Sequence, residues 1–160
     1  MCTALRMSGH HHLFGRTLDL EKSYGEGVVI TPRNHALRFL HVPAVEHHCA
    51  IIGMACVYEG YPLYYDAMNE SGLAIAGLNF PGNAVFSPVT ESKINVAPFE
   101  FIPYILTHCK NTNDAETLLR KINIADIDFR SDLRAAPLHW IISDKERSIT
   151  VESAKDGLKV

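Results

Sequence analysis

The chain has 160 residues, a formal charge of −3 and a pI near 6.3, with 47% apolar and 21% charged residues. That balance excludes a disordered chain, and the length supports one domain, residues 1–160, with a real core. The lack of a basic stripe argues against a nucleic-acid partner, and no apolar run reaches the roughly 20 residues of a membrane-spanning helix.

The first third reads as short strands. Cys2–Met7 and His12–Leu18 flank Ser8-Gly9-His10-His11, a hairpin turn in which Gly9 relieves positive φ. Val28–Pro32 is β-branched and ends at a proline. Ala50–Tyr58 is a longer apolar run, read as a buried strand and closed by the breaker Glu59-Gly60-Tyr61-Pro62. Leu63–Met68 and Leu73–Leu78 bracket the turn Asn69-Glu70-Ser71-Gly72. After Pro88 the pattern turns helical. Pro98–Cys109 predicts a helix with Pro103 in its first turn, and a second helix begins near Asn113, capped by Asn113 or Thr112. Ile124–Arg134 reads as irregular, and Leu138–Ile142 and Ile149–Glu152 return to strand. The last residues predict a turn and the opening of a strand without an evident partner. Strands, two helices, then strands describe an α+β layered fold.

Of the four cysteines, Cys49, Cys56 and Cys109 sit in apolar contexts expected to bury unreactive thiols. Cys2 differs. Once Met1 is removed, it carries a thiol and a free α-amine on one residue, a nucleophile and a proton acceptor together. The amine's reference pKa of about 7.7–8.0 leaves part of it unprotonated near neutrality, and the thiol attacks as thiolate. Arg16 and Asp19, in Phe14-Gly15-Arg16-Thr17-Leu18-Asp19, point to opposite faces of a continuous strand. They can meet Cys2 together only where the strand bulges or ends. There the guanidinium would lower the thiol pKa and the carboxylate would hold the amine; the alternative is a surface ion pair. Asn79, at a strand end in Gly77-Leu78-Asn79-Phe80-Pro81-Gly82, can donate an amide N–H to an oxyanion or act as a turn residue.

These segments resemble the choloylglycine hydrolase family, the bile salt hydrolases and penicillin V acylases, which are N-terminal nucleophile hydrolases. The likeness runs through Met1-Cys2-Thr3-Ala4, the Phe14–Asp19 segment, Ile30-Thr31-Pro32-Arg33-Asn34, Tyr61-Pro62-Leu63-Tyr64-Tyr65-Asp66-Ala67-Met68-Asn69-Glu70, the Gly77–Gly82 segment and Leu138-His139-Trp140-Ile141-Ile142-Ser143-Asp144. The resemblance implies an αββα sandwich and a hydrolase that cleaves glycine- or taurine-conjugated bile acids at the amide bond. It makes Cys2 the nucleophile after loss of Met1, Arg16 and Asp19 its activating partners, and Asn79 an oxyanion contact. Leu18, Tyr24, Tyr65, Phe129 and Leu133 fall where family loops border the substrate. Asn at position 79 is closer to the bile salt hydrolases, since penicillin V acylases tend to carry Tyr there.

Family members are about twice this long and use a further Asn and Arg without counterparts here, so the resemblance implies a truncated, N-terminal half of the sandwich. Penicillin V or N-acyl-homoserine lactone acylase activity, or an inactive fragment, stand as the alternatives. No cofactor is expected, because thiol and amine supply the chemistry. No metal is expected either, since neighbouring histidines (His10, His11, His12; His47, His48) alternate faces on a strand and His139 reads as a half-buried, hydrogen-bonded side chain. Tyr58, Tyr61 and Tyr64, with Tyr24, Tyr65 and Phe129, could line an apolar pocket or simply pack the core. The expected setting is cytoplasmic, with a homo-oligomer and a small-molecule substrate.

Overall fold

A computed structural model describes residues 2–160. Strands β1 (Ala4–Ser8) and β2 (His12–Arg16) form an antiparallel hairpin in the register Ala4 to Arg16 and Ser8 to His12. Next come β3 (Gly27–Thr31), β4 (Ile51–Tyr58), β5 (Tyr61–Asn69) and β6 (Ala74–Asn79). A short strand β7 (Ile94–Val96) and a 3-10 turn, Pro98–Glu100, lead into α1 (Phe101–His108) and α2 (Thr112–Leu119). The chain then runs through β8 (Ile122–Ile124), β9 (Leu138–Ser143), β10 (Ser148–Ala154) and β11 (Gly157–Lys159).

Seven of these strands make one sheet in the order β11-β10-β9-β6-β5-β4-β3. Every pairing in it is antiparallel. Helix α1 lies against β5 and β6. Its apolar positions Phe101, Ile102, Ile105 and Leu106 are buried with Ile51, Ile75, Trp140 and Ile142 of the sheet. The period of two puts alternate residues on the opposite face. There the cross-strand row Ile30, Ile52 and Met68 stays exposed, while the β1–β2 hairpin is tied on by Arg6, which donates to the carbonyl of Asp144 at 3.1 Å.

Four local expectations need correction. Only Glu59 and Gly60 turn, with φ of 52° and 80°, the pair of left-handed residues that a two-residue hairpin needs. Tyr61 and Pro62 belong to β5; Pro62 is tolerated because β6 pairs with β5 only from Asp66 to Met68, so no donor is required on that side. The cap of α2 is Asn111, whose side chain accepts from the Asp114 amide at 2.9 Å, one residue before the expected positions. Residues 122–124 are a strand, paired in parallel with β7, and β11 completes as the sheet's edge, pairing Lys159 with Glu152. Among the described residues no helix is long and apolar enough to cross a membrane.

Candidate active site

Strand β2 stops at Arg16, and the two chain segments beyond the hairpin stay clamped. The Thr17 amide donates to the Thr3 carbonyl at 2.8 Å, and the Thr3 amide donates to Thr17 Oγ1 at 3.0 Å. Cys2 is thereby held alongside the segment that leaves β2. The alternation that would have separated Arg16 from Asp19 ends where the ladder ends. Both line one cavity of about 390 Å³ with Cys2.

The cavity opens where β5 and β6 part. Their pairing ends at Asp66 and Ala76, so Gly77, Leu78 and Asn79 have β9 on one side and no β5 partner on the other. Arg16 fills part of that gap. Its side chain is only 6% exposed; Nη2 donates to the Gly77 carbonyl at 2.6 Å, and Nη1 lies 3.9 Å from Asp66 Oδ2. Asn79, two residues further along β6, closes the strand and also lines the cavity.

The Asp19 carboxyl is held below the ordinary carboxylate range by a hydrogen bond that it accepts and by nearby positive charge. The removal of Met1 that the resemblance implies concerns a residue outside the described ones.

Apart from Arg134, the remaining walls are mostly apolar. Leu18, Tyr24, Tyr65, Phe129 and Leu133 all line the cavity, as do Tyr58, Tyr64, Phe99 and Trp140. Tyr61 does not; it is half-buried and packs against Phe99 and Phe129 with ring centroids 6.0 and 6.2 Å away. Phe99 and Phe129 meet edge to face at 5.1 Å, which fixes the loop that carries Phe129 and Leu133. The Asp128 carboxylate accepts from the Ala135 amide at 2.8 Å and Arg130 pairs with Asp132 at 2.6 Å, so that loop is stapled at its base.

The Cys56 thiol lies 3.3 Å from both the Tyr65 hydroxyl and the Tyr24 carbonyl, joining two wall residues. Burial, with the Cys56 thiol beside it, pushes the Tyr65 phenol up. Burial likewise pushes the Cys109 thiol up to about 12, in line with a core cysteine; Cys49 is only half-buried, contrary to expectation, because it lies outside the strand that follows.

Three participants escaped sequence reasoning: Asp66 behind Arg16, Phe99 at the helix entry, and Cys56 between two tyrosines. Each acts through a partner far away in the chain, and local pattern carries no signal for that. His139 stacks on Phe80 at 4.6 Å and lies 3.6 Å from Glu152, with no hydrogen bond to Nδ1. Among the described residues no cluster of three His, Cys, Asp or Glu could hold a metal ion.

Comparison with known proteins gives a consistent set of relatives. A family model, the linear amide C–N hydrolases of the choloylglycine hydrolase family, matches residues 2–160. A bile salt hydrolase/transferase from Lactiplantibacillus plantarum is 46% identical over all of this chain and 49% of its own length. A conjugated bile acid hydrolase from Lactobacillus gasseri is 44% identical over all of this chain and 52% of its own. The solved structure of a mutant conjugated bile acid hydrolase from Clostridium perfringens superposes with a TM-score of 0.92 at 32% identity, covering 99% of this chain and 50% of that one. A penicillin V acylase from Agrobacterium tumefaciens shares the fold, with a TM-score of 0.74 at 19% identity over 99% of this chain and 48% of that one. The chain spans about half the length of the curated relatives it matches.

Proposed function

Because the chain belongs to the choloylglycine hydrolase family and has its α+β N-terminal nucleophile hydrolase fold, we propose that it hydrolyses the amide bond of glycine- or taurine-conjugated bile acids through Cys2. Loss of Met1 frees the Cys2 α-amine. That amine takes the thiol proton, and the thiolate attacks the amide carbonyl. The tetrahedral oxyanion accepts a hydrogen bond from the Asn79 amide. Collapse forms a thioester and breaks the C–N bond, with the proton passing from the amine to the leaving nitrogen. Water then attacks the thioester, releasing the free bile acid and regenerating the thiol. Arg16 favours the thiolate by its charge, and Asp19 holds the amine.

One observation carries this reading: the residues assigned chemistry (Cys2, Arg16, Asp19, Asn79) and those assigned to substrate (Leu18, Tyr24, Tyr65, Phe129, Leu133) line the same cavity of about 390 Å³. Polar groups gathered at one part of a mostly apolar hollow suit a large apolar acyl group with one polar bond to cut. Association of copies of the chain, which the family resemblance implies, and a cytoplasmic setting complete the proposal.

The test is steady-state hydrolysis by chain shown by intact mass to lack Met1. A glycine-conjugated bile acid is compared with phenoxymethylpenicillin, and Cys2→Ala serves as the control. We expect a higher kcat/KM for the bile acid and none for Cys2→Ala. A higher value for the penicillin refutes the substrate, turnover by Cys2→Ala refutes the nucleophile, and no turnover of either compound refutes hydrolysis by this chain.

A further inference from the structure

Arg16 poses a charge problem that the reaction scheme leaves unanswered. Its guanidinium is nearly sealed from solvent, yet only Nη2 donates a hydrogen bond, to the Gly77 carbonyl at 2.6 Å. The buried Nε and Nη1 have no hydrogen-bond partner. An unpaired buried cation is strongly unfavourable, so an opposite charge must face it. Asp66 is the acidic side chain that does, its Oδ2 3.9 Å from Nη1, too far for a hydrogen bond but within ion-pair range.

Asp66 is not free to swing closer. It lies on β5 at the last rung shared with β6, opposite Ala76. Its Oδ1 accepts from the Met54 amide at 3.4 Å, at the point where a bulge between Met54 and Ala55 shifts the register of β4. The carboxylate, which is not among the residues lining the cavity, is thus pinned beside Nη1 of the guanidinium, while the Gly77 carbonyl holds Nη2.

We propose that Asp66 is a positioning residue that acts through Arg16: its fixed negative charge offsets the buried guanidinium and so limits the positive field presented to the Cys2 thiol. This rests on the reading above, in which Arg16 activates Cys2. Burial raises the Asp66 carboxyl from its usual range, and the Met54 amide and Arg16 pull it back. The charged groups that line the cavity beside Cys2 are Arg16, Asp19 and Arg134. The titratable set there is completed by the phenols of Tyr24, Tyr58, Tyr64 and Tyr65, the Cys56 thiol and, in Met1-free chain, the Cys2 α-amine, all of which an Asp66 variant leaves in place.

Asp66→Asn keeps the volume and the acceptor for Met54 but removes the charge. The experiment is the pH profile of iodoacetamide labelling at Cys2, read on the N-terminal peptide by mass spectrometry in Met1-free chain. This readout needs no turnover. The Cys2 midpoint is expected to fall in Asp66→Asn, giving labelling on the order of tenfold faster below the wild-type midpoint, the size of a one-unit change from a nearby charge. It should return towards wild type in Asp66→Glu and rise in Arg16→Ala. An unmoved or raised midpoint in Asp66→Asn, with a rise in Arg16→Ala, overturns the role of Asp66 alone. An unmoved midpoint in Arg16→Ala overturns the activation reading on which it rests. Carboxyl NMR of Asp66 adds a readout that does not depend on the Asp66 variants folding: its titration should move up in Arg16→Ala, and an unchanged titration there also overturns the proposal.

Discussion

Replacing Asp144 should cost more stability than any other single carboxylate, and replacement by Asn should be nearly as harmful as by Ala. The buried carboxylate joins three parts of the fold. Oδ2 accepts from the Thr112 amide at 2.7 Å and from Thr112 Oγ1 at 2.8 Å, at the start of α2. Oδ1 accepts from the Glu146 and Arg147 amides at 2.8 and 3.0 Å, in the β9–β10 turn. The same turn offers the carbonyls of Asp144 and Lys145 to Arg6 of the hairpin. Both oxygens thus face donors only, so an Asn amide must set its NH2 against two of them. A charge-assisted bond contributes about 1.5–3 kcal/mol and the bonds share one anchor, so the expected loss is about 3–4 kcal/mol for either variant. With a urea slope of about 2 kcal/mol/M, the unfolding midpoint should drop by about 1.5–2 M.

Burial alone would raise the Asp144 carboxyl, but the bonds from Thr112, Arg147 and Glu146 outweigh it and hold the group far below the ordinary carboxylate range. Its folded value therefore lies below the unfolded value of about 3.9. The stabilisation is complete above that unfolded value and is lost as pH falls towards the folded one. The stability gap between wild type and Asp144→Asn should accordingly be constant from pH 7 to 5 and shrink below about pH 4. A near-wild-type midpoint for Asp144→Asn, or a gap that persists undiminished at pH 2, refutes this role for Asp144.

Two further outcomes test the geometry. At Gly53 an added Cβ would sit 2.0 Å from the Asp66 carbonyl oxygen and 2.6 Å from Ala67 Cα, backbone that cannot move aside without parting β4 from β5; Gly53→Ala should lose about 3 kcal/mol, a fall in Tm of about 10 °C by calorimetry, and an unchanged Tm contradicts the packing. In native protein at pH 8, iodoacetamide should modify Cys2 and Cys49, which are partly accessible, and spare the buried Cys56 and Cys109, the latter with its thiol pushed up to about 12; peptide mapping that finds Cys109 labelled as fast as Cys49 contradicts its burial.

Strand content was legible because period-two apolar patterns and Gly-containing turns are local properties: the hairpin at Ser8–His11 and the turn at Asn69–Gly72 both lie where the sequence puts them. What stayed hidden was non-local. The strand at 122–124 is three residues long, and its reason for existing is the parallel partner at 94–96. The α2 cap moved to Asn111 because Asp144, 32 residues away, already satisfies the Thr112 amide. In the site, the segments carrying Cys2, Arg16, Asp19 and Asn79 could be picked out by residue type and family likeness. Asp66 could not, since its role is set by a register and a bulge.

The position of the site follows from an imperfection in the sheet. Had β5 and β6 remained paired to their ends, the Gly77 carbonyl would be occupied in the ladder and Arg16 would have no acceptor there. Instead β4 and β5 continue together to the Tyr58–Tyr61 rung, while β6 stays with β9 as far as Asn79 and Leu138. The two halves of the sheet therefore diverge beyond Asp66, and the wedge between them receives the guanidinium. Tyr58 of β4, Tyr64 and Tyr65 of β5, and Leu138 and Trp140 of β9 all line the resulting hollow. Divergence accounts in one step for an open volume within the sheet, for a backbone acceptor that the ladder leaves to Arg16, and for a strand end, Asn79, that lines the cavity. A helix or a fully paired strand offers none of these, because its backbone groups are already spent on its own hydrogen bonds. Asp66 stands at the last rung before the split, and from there its carboxylate faces the cation held by β6.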